Sequence, residues 1–216
     1  MTSRGIRRKK STLTEVRMAV IGAPSVGKTA LTVRFLTKRY IGEYDHQSEN
    51  RYRHETLVEG EPMLFEILDT CPKTVMDLPS QEAVQWADGL MLVYSITDRE
   101  SFNYVQRARA ELFADGDTPA LVLLGNKGDM VHLRQVGTEE GEILARDLDC
   151  TFNEITAAEQ VTQVADAFYE LCREIMAARR KSKQSLLDRM LGGKNTGGRA
   201  YLRGKSDSAL PKNGIE

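Results

Sequence analysis

Along this chain, apolar runs of strand length alternate with segments whose apolar positions recur at helical spacing. EVRMAVIG at 15–22 is followed by KTALTVRFLTKR at 28–39, a helical pattern. Next come two β-type runs, RYRHETLVEG at 51–60 and EPMLFEILDT at 61–70, which meet at the turn-like Gly60, Glu61 and Pro62. SQEAVQWAD (80–88) predicts a helix, GLMLVYSIT (89–97) a strand, RESFNYVQRARAELFADG (99–116) a helix and ALVLLGN (120–126) a strand. TEEGEILARDL (138–148), CTFNEIT (150–156) and VTQVADAFYELCREIMAARR (161–180) close the series as helix, strand and long helix.

This is the rhythm of βαβ units. GLMLVYSI and ALVLLG are apolar on successive residues, as strands covered by helices on both faces must be, so the pattern predicts an α/β fold with a mainly parallel, doubly wound sheet. RYRHETLVEG alternates more and predicts an edge strand. From about Lys181 onward Gly, Lys, Ser and Asn accumulate while large apolar residues thin out. The expected organisation is a basic N-terminal tail at 1–13, a globular domain at 14–180 and a basic, disordered C-terminal tail at 181–216.

Composition adds limits rather than a function. A chain of 216 residues, 41% hydrophobic and 28% charged, suits one globular domain with tails. The formal net charge of -1 hides an uneven distribution, because Arg4, Arg7, Arg8, Lys9 and Lys10 crowd one end and Arg179, Arg180, Lys181 and Lys183 the other. The middle is therefore acidic, and nucleic acid is not expected as a partner. Cys71, Cys150 and Cys172 are an odd set without metal-ligand spacing, which fits a reducing, cytoplasmic compartment. No apolar run reaches the length of a membrane span, and MTSRGIRRKKSTLTE lacks the hydrophobic region of a secretory signal.

Chemistry enters where the first strand breaks. Gly22, Gly27, Lys28 and Thr29 satisfy G-x-x-x-x-G-K-[ST] between a strand and a helix. Across Gly22, Ala23, Pro24, Ser25, Val26, Gly27, Lys28, Thr29 and Ala30, glycine lets backbone N–H groups converge on phosphate oxygens. Lys28 adds a cation at the terminal phosphates, and Thr29 offers a hydroxyl to Mg²⁺. Asp69, closing LFEILDT, is placed to hold the same ion through water. In LVLLGNKGD, Asn126, Lys127, Gly128 and Asp129 follow a buried-type strand; a carboxylate at Asp129 can accept from the two N–H donors on guanine's edge, a pair that adenine lacks. A small nucleotide kinase with the same phosphate loop is disfavoured by this segment.

Together these motifs resemble the Ras-superfamily small GTPases over about residues 14–180, and ALTVRFLTKRYIGEYD and YELCRE resemble the branch of Ras-related, oestrogen-regulated growth inhibitors and their unprenylated relatives. The resemblance implies the P-loop NTPase fold of the small G-protein type: a six-stranded sheet with one antiparallel edge strand and helices on both faces. It implies GTP or GDP with Mg²⁺ as ligands and hydrolysis of GTP to GDP and phosphate, expected to be weak because of atypical switch residues. Asn126 and Asp129 would read the base, Lys127 would pack near it, and Thr156, Ala157 and Ala158 would supply the supporting loop. Tyr40 would lie against base and ribose. Ala158 stands where the family usually has lysine.

The departures from the family pattern are concentrated at the terminal phosphate. EYDHQS puts Gln47 where a threonine hydroxyl usually reaches Mg²⁺. The family's D-x-A-G-Q reads here as Asp69, Thr70, Cys71, Pro72 and Lys73. Pro72 has no N–H to give the γ-phosphate, and Lys73 has donors but no acceptor for a water proton. Pro24 and Ser25 replace small glycine-type positions nearby. The alternative to a slow GTPase is a pseudo-GTPase, an interaction module that binds nucleotide without a hydrolysis cycle.

Effector or regulator proteins would meet residues 41–52 and 70–86, and the chain is expected to be a monomer. Leu186, Leu187, Met190 and Leu191 fall near one helical face of the basic tail, which would lie weakly on an anionic membrane, lie in a partner groove, or form a solvated extension of the last helix. The final KNGIE has no cysteine for prenylation and no glycine follows Met1, so the expectation is cytoplasmic, peripheral-membrane or nuclear, without a lipid anchor. Trp86 reads as a core anchor, and His46, His54 and His132 show no ligand spacing.

Overall fold

The first apolar run forms β1 (Thr14–Ile21), and the helical pattern behind it forms α1 (Lys28–Thr37). The computed structural model describes residues 13–39, 48–112, 119–159 and 161–192. Chain order continues with β2 (Asn50–Val58), β3 (Glu61–Asp69), α2 (Gln81–Trp86), β4 (Gly89–Ser95), α3 (Arg99–Leu112), β5 (Ala120–Asn126), α4 (Thr138–Asp147), β6 (Thr151–Glu154) and α5 (Val161–Gly192). A short 3₁₀ turn, Val131–Leu133, precedes α4.

The sheet runs β2-β3-β1-β4-β5-β6. All pairs are parallel except β2 with β3, whose residues pair from Asn50 opposite Asp69 to Val58 opposite Glu61. β2 is an edge strand with alternate residues exposed, as its polar alternation predicts, whereas every residue of β4 is buried. The hairpin turn is Glu59 and Gly60, both at positive φ (53° and 84°), so β3 starts at Glu61 rather than after Pro62. Two residues at positive φ match the right-handed twist of the flanking strands.

An aromatic stack joins α1, β3 and α5. Phe35 lies 4.3 Å from Phe168 and 5.9 Å from Phe65, both near-parallel, with His54 edge-on at 5.3 Å. These rings pack the C-terminal half of α1 against β3 and α5. Trp86 is half-buried against the core, its ring covered by the guanidinium groups of Arg17 and Arg51 at 5.9 and 4.8 Å. Arg179 ties α5 to the sheet, donating to the Glu15 carbonyl at 2.9 Å and to the Asp88 carboxylate at 2.7 Å.

By its contacts the chain divides into two units, Met1–Arg179, which contains the sheet, and Arg180–Glu216. In the second unit, residues 181–192 are helical where the sequence suggested a disordered tail, because Arg, Lys, Gln and Leu are good helix formers and the first break comes at Gly192. Leu186 and Leu187 there are exposed.

Candidate functional site

β1 ends at Ile21 and the chain wraps over the N-terminus of α1 in a loop whose shape depends on two glycines. A Cβ on Gly22 would stand 2.2 Å from the Val93 carbonyl oxygen, so the loop leaves the sheet where only glycine fits beside β4. Gly27 caps α1 in the left-handed region at φ 99°, and a Cβ there would meet the Asn126 side chain at 2.4 Å. Ser25 is also left-handed, at φ 61°. The backbone amides that open α1 have no side-chain cap, which leaves them for an anion.

Lys28 is buried inside this loop. Its Nζ donates to the carbonyl oxygens of Gly22 (2.9 Å) and Ala23 (2.8 Å). Burial pushes the amine down from the ordinary 10.5 to about 8, against the upward pull of Asp69 and of Cys71. An ammonium has three donors, and two are spent on the loop. The amine faces a cavity of about 520 Å³ lined by the phosphate loop and by Thr70, Cys71, Pro72 and Lys73. Thr70 fixes the far wall, since its N–H and hydroxyl both donate to the Val20 carbonyl at 3.3 and 2.7 Å.

The second candidate group meets the first at Gly27. A smaller cavity of about 180 Å³ is lined by Gly27, Ala30, Asn126, Lys127, Asp129, Met130, Thr156, Ala157 and Ala158. Asn126 is buried and joins three segments: its Nδ2 donates to the Val26 carbonyl at 2.8 Å, and its Oδ1 accepts from the Ala157 N–H at 3.3 Å. Lys127 turns the chain in a left-handed conformation, φ 64°, and the Gly128 N–H donates to the Ile155 carbonyl at 3.0 Å. Asp129 is exposed, with one carboxylate oxygen accepting from the Thr156 hydroxyl, and its N–H donates to that hydroxyl at 3.3 Å. A carboxylate so held presents its other oxygen to a ligand.

A family model described as "Ras family" matches residues 17–177. The chain belongs to the Ras family. This Ras-family chain is 45% identical over 168 residues to the human "Ras-related and estrogen-regulated growth inhibitor", covering 76% of this chain and 83% of that one. It is also 42% identical over 173 residues to rat "Ras-like protein family member 11A", covering 74% and 70%, and 38% identical over 170 residues to zebrafish (Danio rerio) "Ras-like protein family member 11B", covering 74% and 69%. The six-stranded sheet with β2 antiparallel is the small G-protein P-loop NTPase fold. Members of this family of small GTPases bind GTP and GDP with Mg²⁺.

In this Ras-family chain the residues suit such a ligand: two glycine positions that any Cβ would fill, a buried amine with a donor left over, and uncapped helix amides. Thr29 lines the larger cavity, and Asp69, 3% exposed, ends β3 within electrostatic reach of Lys28. Among the described residues no group of three His, Cys, Asp or Glu side chains is gathered to hold a metal. Tyr40 and Gln47 lie outside the described residues, as do 41–46 of the expected partner segment. Ala158 is exposed at the rim of the base cavity.

Sequence reading missed several contributors. The Val93 carbonyl that forces glycine at 22, Met130 in the base cavity, and Tyr104 and Arg107 of α3, which donate to the carbonyls of Asp77 (3.1 Å) and Val75 (2.9 Å), carry no motif. Backbone carbonyls and long-range partners leave no local pattern.

Proposed function

We propose that this chain is a guanine-nucleotide-binding signalling protein that holds GTP or GDP with Mg²⁺ and hydrolyses GTP slowly. The observation that carries the reading is the Lys28 amine, buried, bonded to Gly22 and Ala23, and facing a cavity that Gly27 links to the Asn126–Asp129 pocket. The third donor of Lys28 and the free amides of α1 bind phosphate oxygens. Asp129 accepts from the guanine edge, Thr156 keeps its carboxylate in place, and Asn126 locks the base pocket to the phosphate loop. Thr29 and, through water, Asp69 hold the cation, with Gln47 a third contributor. The cation, when bound, neutralises phosphate charge.

Slow hydrolysis follows from the residues at the cavity wall. Pro72 offers no N–H to the terminal phosphate, and Lys73 has no acceptor with which to orient a water molecule. The same two residues favour a second reading, a pseudo-GTPase that uses nucleotide for stability and works as an interaction module.

Effectors or regulators engage residues 41–52 and 70–86. The domain at 14–180 acts as a cytoplasmic monomer, and its basic flanks touch anionic membrane weakly and reversibly. The test is the identity of the nucleotide that co-purifies with the full chain, extracted by denaturation and separated by chromatography: stoichiometric GDP or GTP is expected, and adenine nucleotide alone would overturn the reading.

A further inference from the structure

The phosphate cavity contains a second cation. Among the described residues its lining brings Lys73 to the same space as Lys28 and includes no carboxylate. The two lysines differ in setting. Lys28 is buried and held by two carbonyls at the inner end, whereas Lys73 is exposed at the wall formed by residues 70–73. Its side chain forms no ion pair with any described residue. Two like charges facing one cavity repel unless an anion lies between them. Beside Lys73 stands Pro72, which brings no donor.

We propose that Lys73 is a specificity residue for the terminal phosphate: its ammonium binds the outermost phosphoryl group of a nucleoside triphosphate and so discriminates by charge between triphosphate and diphosphate. This rests on the reading that the cavity holds nucleotide phosphates. Lys28, held by the Gly22 and Ala23 carbonyls, and the α1 amides line the inner end and reach phosphates of both nucleotides. Lys73, at the wall of residues 70–73, which also borders a cavity lined by Glu49 and Asp77, would be drawn inward by the extra charge of the group that the diphosphate lacks. Thr70, bonded twice to the Val20 carbonyl, anchors the wall that presents Lys73. A flexible point charge tolerates the missing N–H, because an ammonium needs proximity rather than a fixed donor direction. Discrimination made this way weakens as salt screens the exposed charge.

The experiment measures dissociation constants of GDP and of a non-hydrolysable GTP analogue, with Mg²⁺, for the full chain and for Lys73→Gln and Lys73→Arg. Lys73→Gln should weaken the triphosphate analogue about tenfold with GDP affected less than about threefold, Lys73→Arg should keep the wild-type ratio, and the wild-type ratio should fall with salt. An unchanged ratio in Lys73→Gln, or equal loss for both nucleotides, overturns the proposal while leaving nucleotide binding intact. A wild-type chain that binds neither nucleotide overturns the underlying reading and the role of Lys73 with it.

Discussion

The Tyr104 hydroxyl donates to the Asp77 carbonyl oxygen across 3.1 Å, from the buried face of α3 to the segment that leaves the phosphate cavity. Arg107, one helical turn on, donates to the Val75 carbonyl at 2.9 Å, and the Asp77 carboxylate accepts from the Thr74 N–H at 2.8 Å. Residues 74–77 are thus bonded both to α3 and to themselves. Tyr104→Phe keeps the ring and removes the bond, which should cost about 1 kcal/mol of stability. Hydrogen exchange at 74–79 should speed up in that variant, while in the wild type it should barely differ between GDP and a GTP analogue. Exchange unchanged by the substitution would mean that the tie is not what holds the segment.

Nucleotide binding beside Lys28 should take up protons. In the ligand-free protein the folded amine loses its proton near pH 8, whereas the unfolded chain keeps it to about 10.5. Between those values the unfolded state binds more protons, so stability rises with pH across that window, by about 3 kcal/mol in full. Lys28→Met should lack that rise. Phosphates beside the amine raise its pKa again, so binding of GDP at pH 8 should take up about half a proton and at pH 6.5 very little. Calorimetry in buffers of different ionisation enthalpy reads this directly; no uptake at pH 8 would place Lys28 away from the phosphates.

Asn126 is the joint between the two pockets. Asn126→Ala leaves the Val26 carbonyl and the Ala157 N–H without the partners that now bond them, both buried, and should lower stability by about 2–4 kcal/mol. Guanine-nucleotide affinity should fall with it, because the loop around Gly27 is no longer held to the base pocket. Thermal unfolding with and without GDP measures both; a stability change below about 0.5 kcal/mol would contradict the role assigned to the side chain.

Much of this was legible beforehand in the fold, and less in the site. The uninterrupted apolar runs of β4 and β5 announced strands covered on both faces, and β2's alternation announced an edge. Gly22, Gly27 and Lys28 were readable because a tight backbone path and a buried amine demand particular residue types. The contact of Gly22 with the Val93 carbonyl was not, since it joins positions far apart through a group that every residue carries. The Tyr104 and Arg107 ties escaped for the same reason. The helix beyond Lys181 was obscured because its polar, basic composition also suits a tail.

Asp129 should decide the base. If its carboxylate, steadied by the Thr156 hydroxyl, accepts from two guanine N–H groups, GTP and GDP should displace a labelled guanine nucleotide far better than ATP. Asp129→Asn replaces an acceptor pair with a mixed amide and should shift preference toward xanthine nucleotides. Equal competition by ATP and GTP against the wild type would exclude this role.

The cradle is proposed to hold phosphate while the wall at Pro72 and Lys73 fails to promote its cleavage. Single-turnover phosphate release from the GTP-loaded full chain tests it most directly. Pro72→Gly combined with Lys73→Gln restores both an N–H and a water-orienting amide and should raise the rate at least about tenfold, whereas Lys73→Gln alone should stay within about threefold of wild type because the N–H is still missing. Wild-type release as fast as that of the double variant would contradict the account.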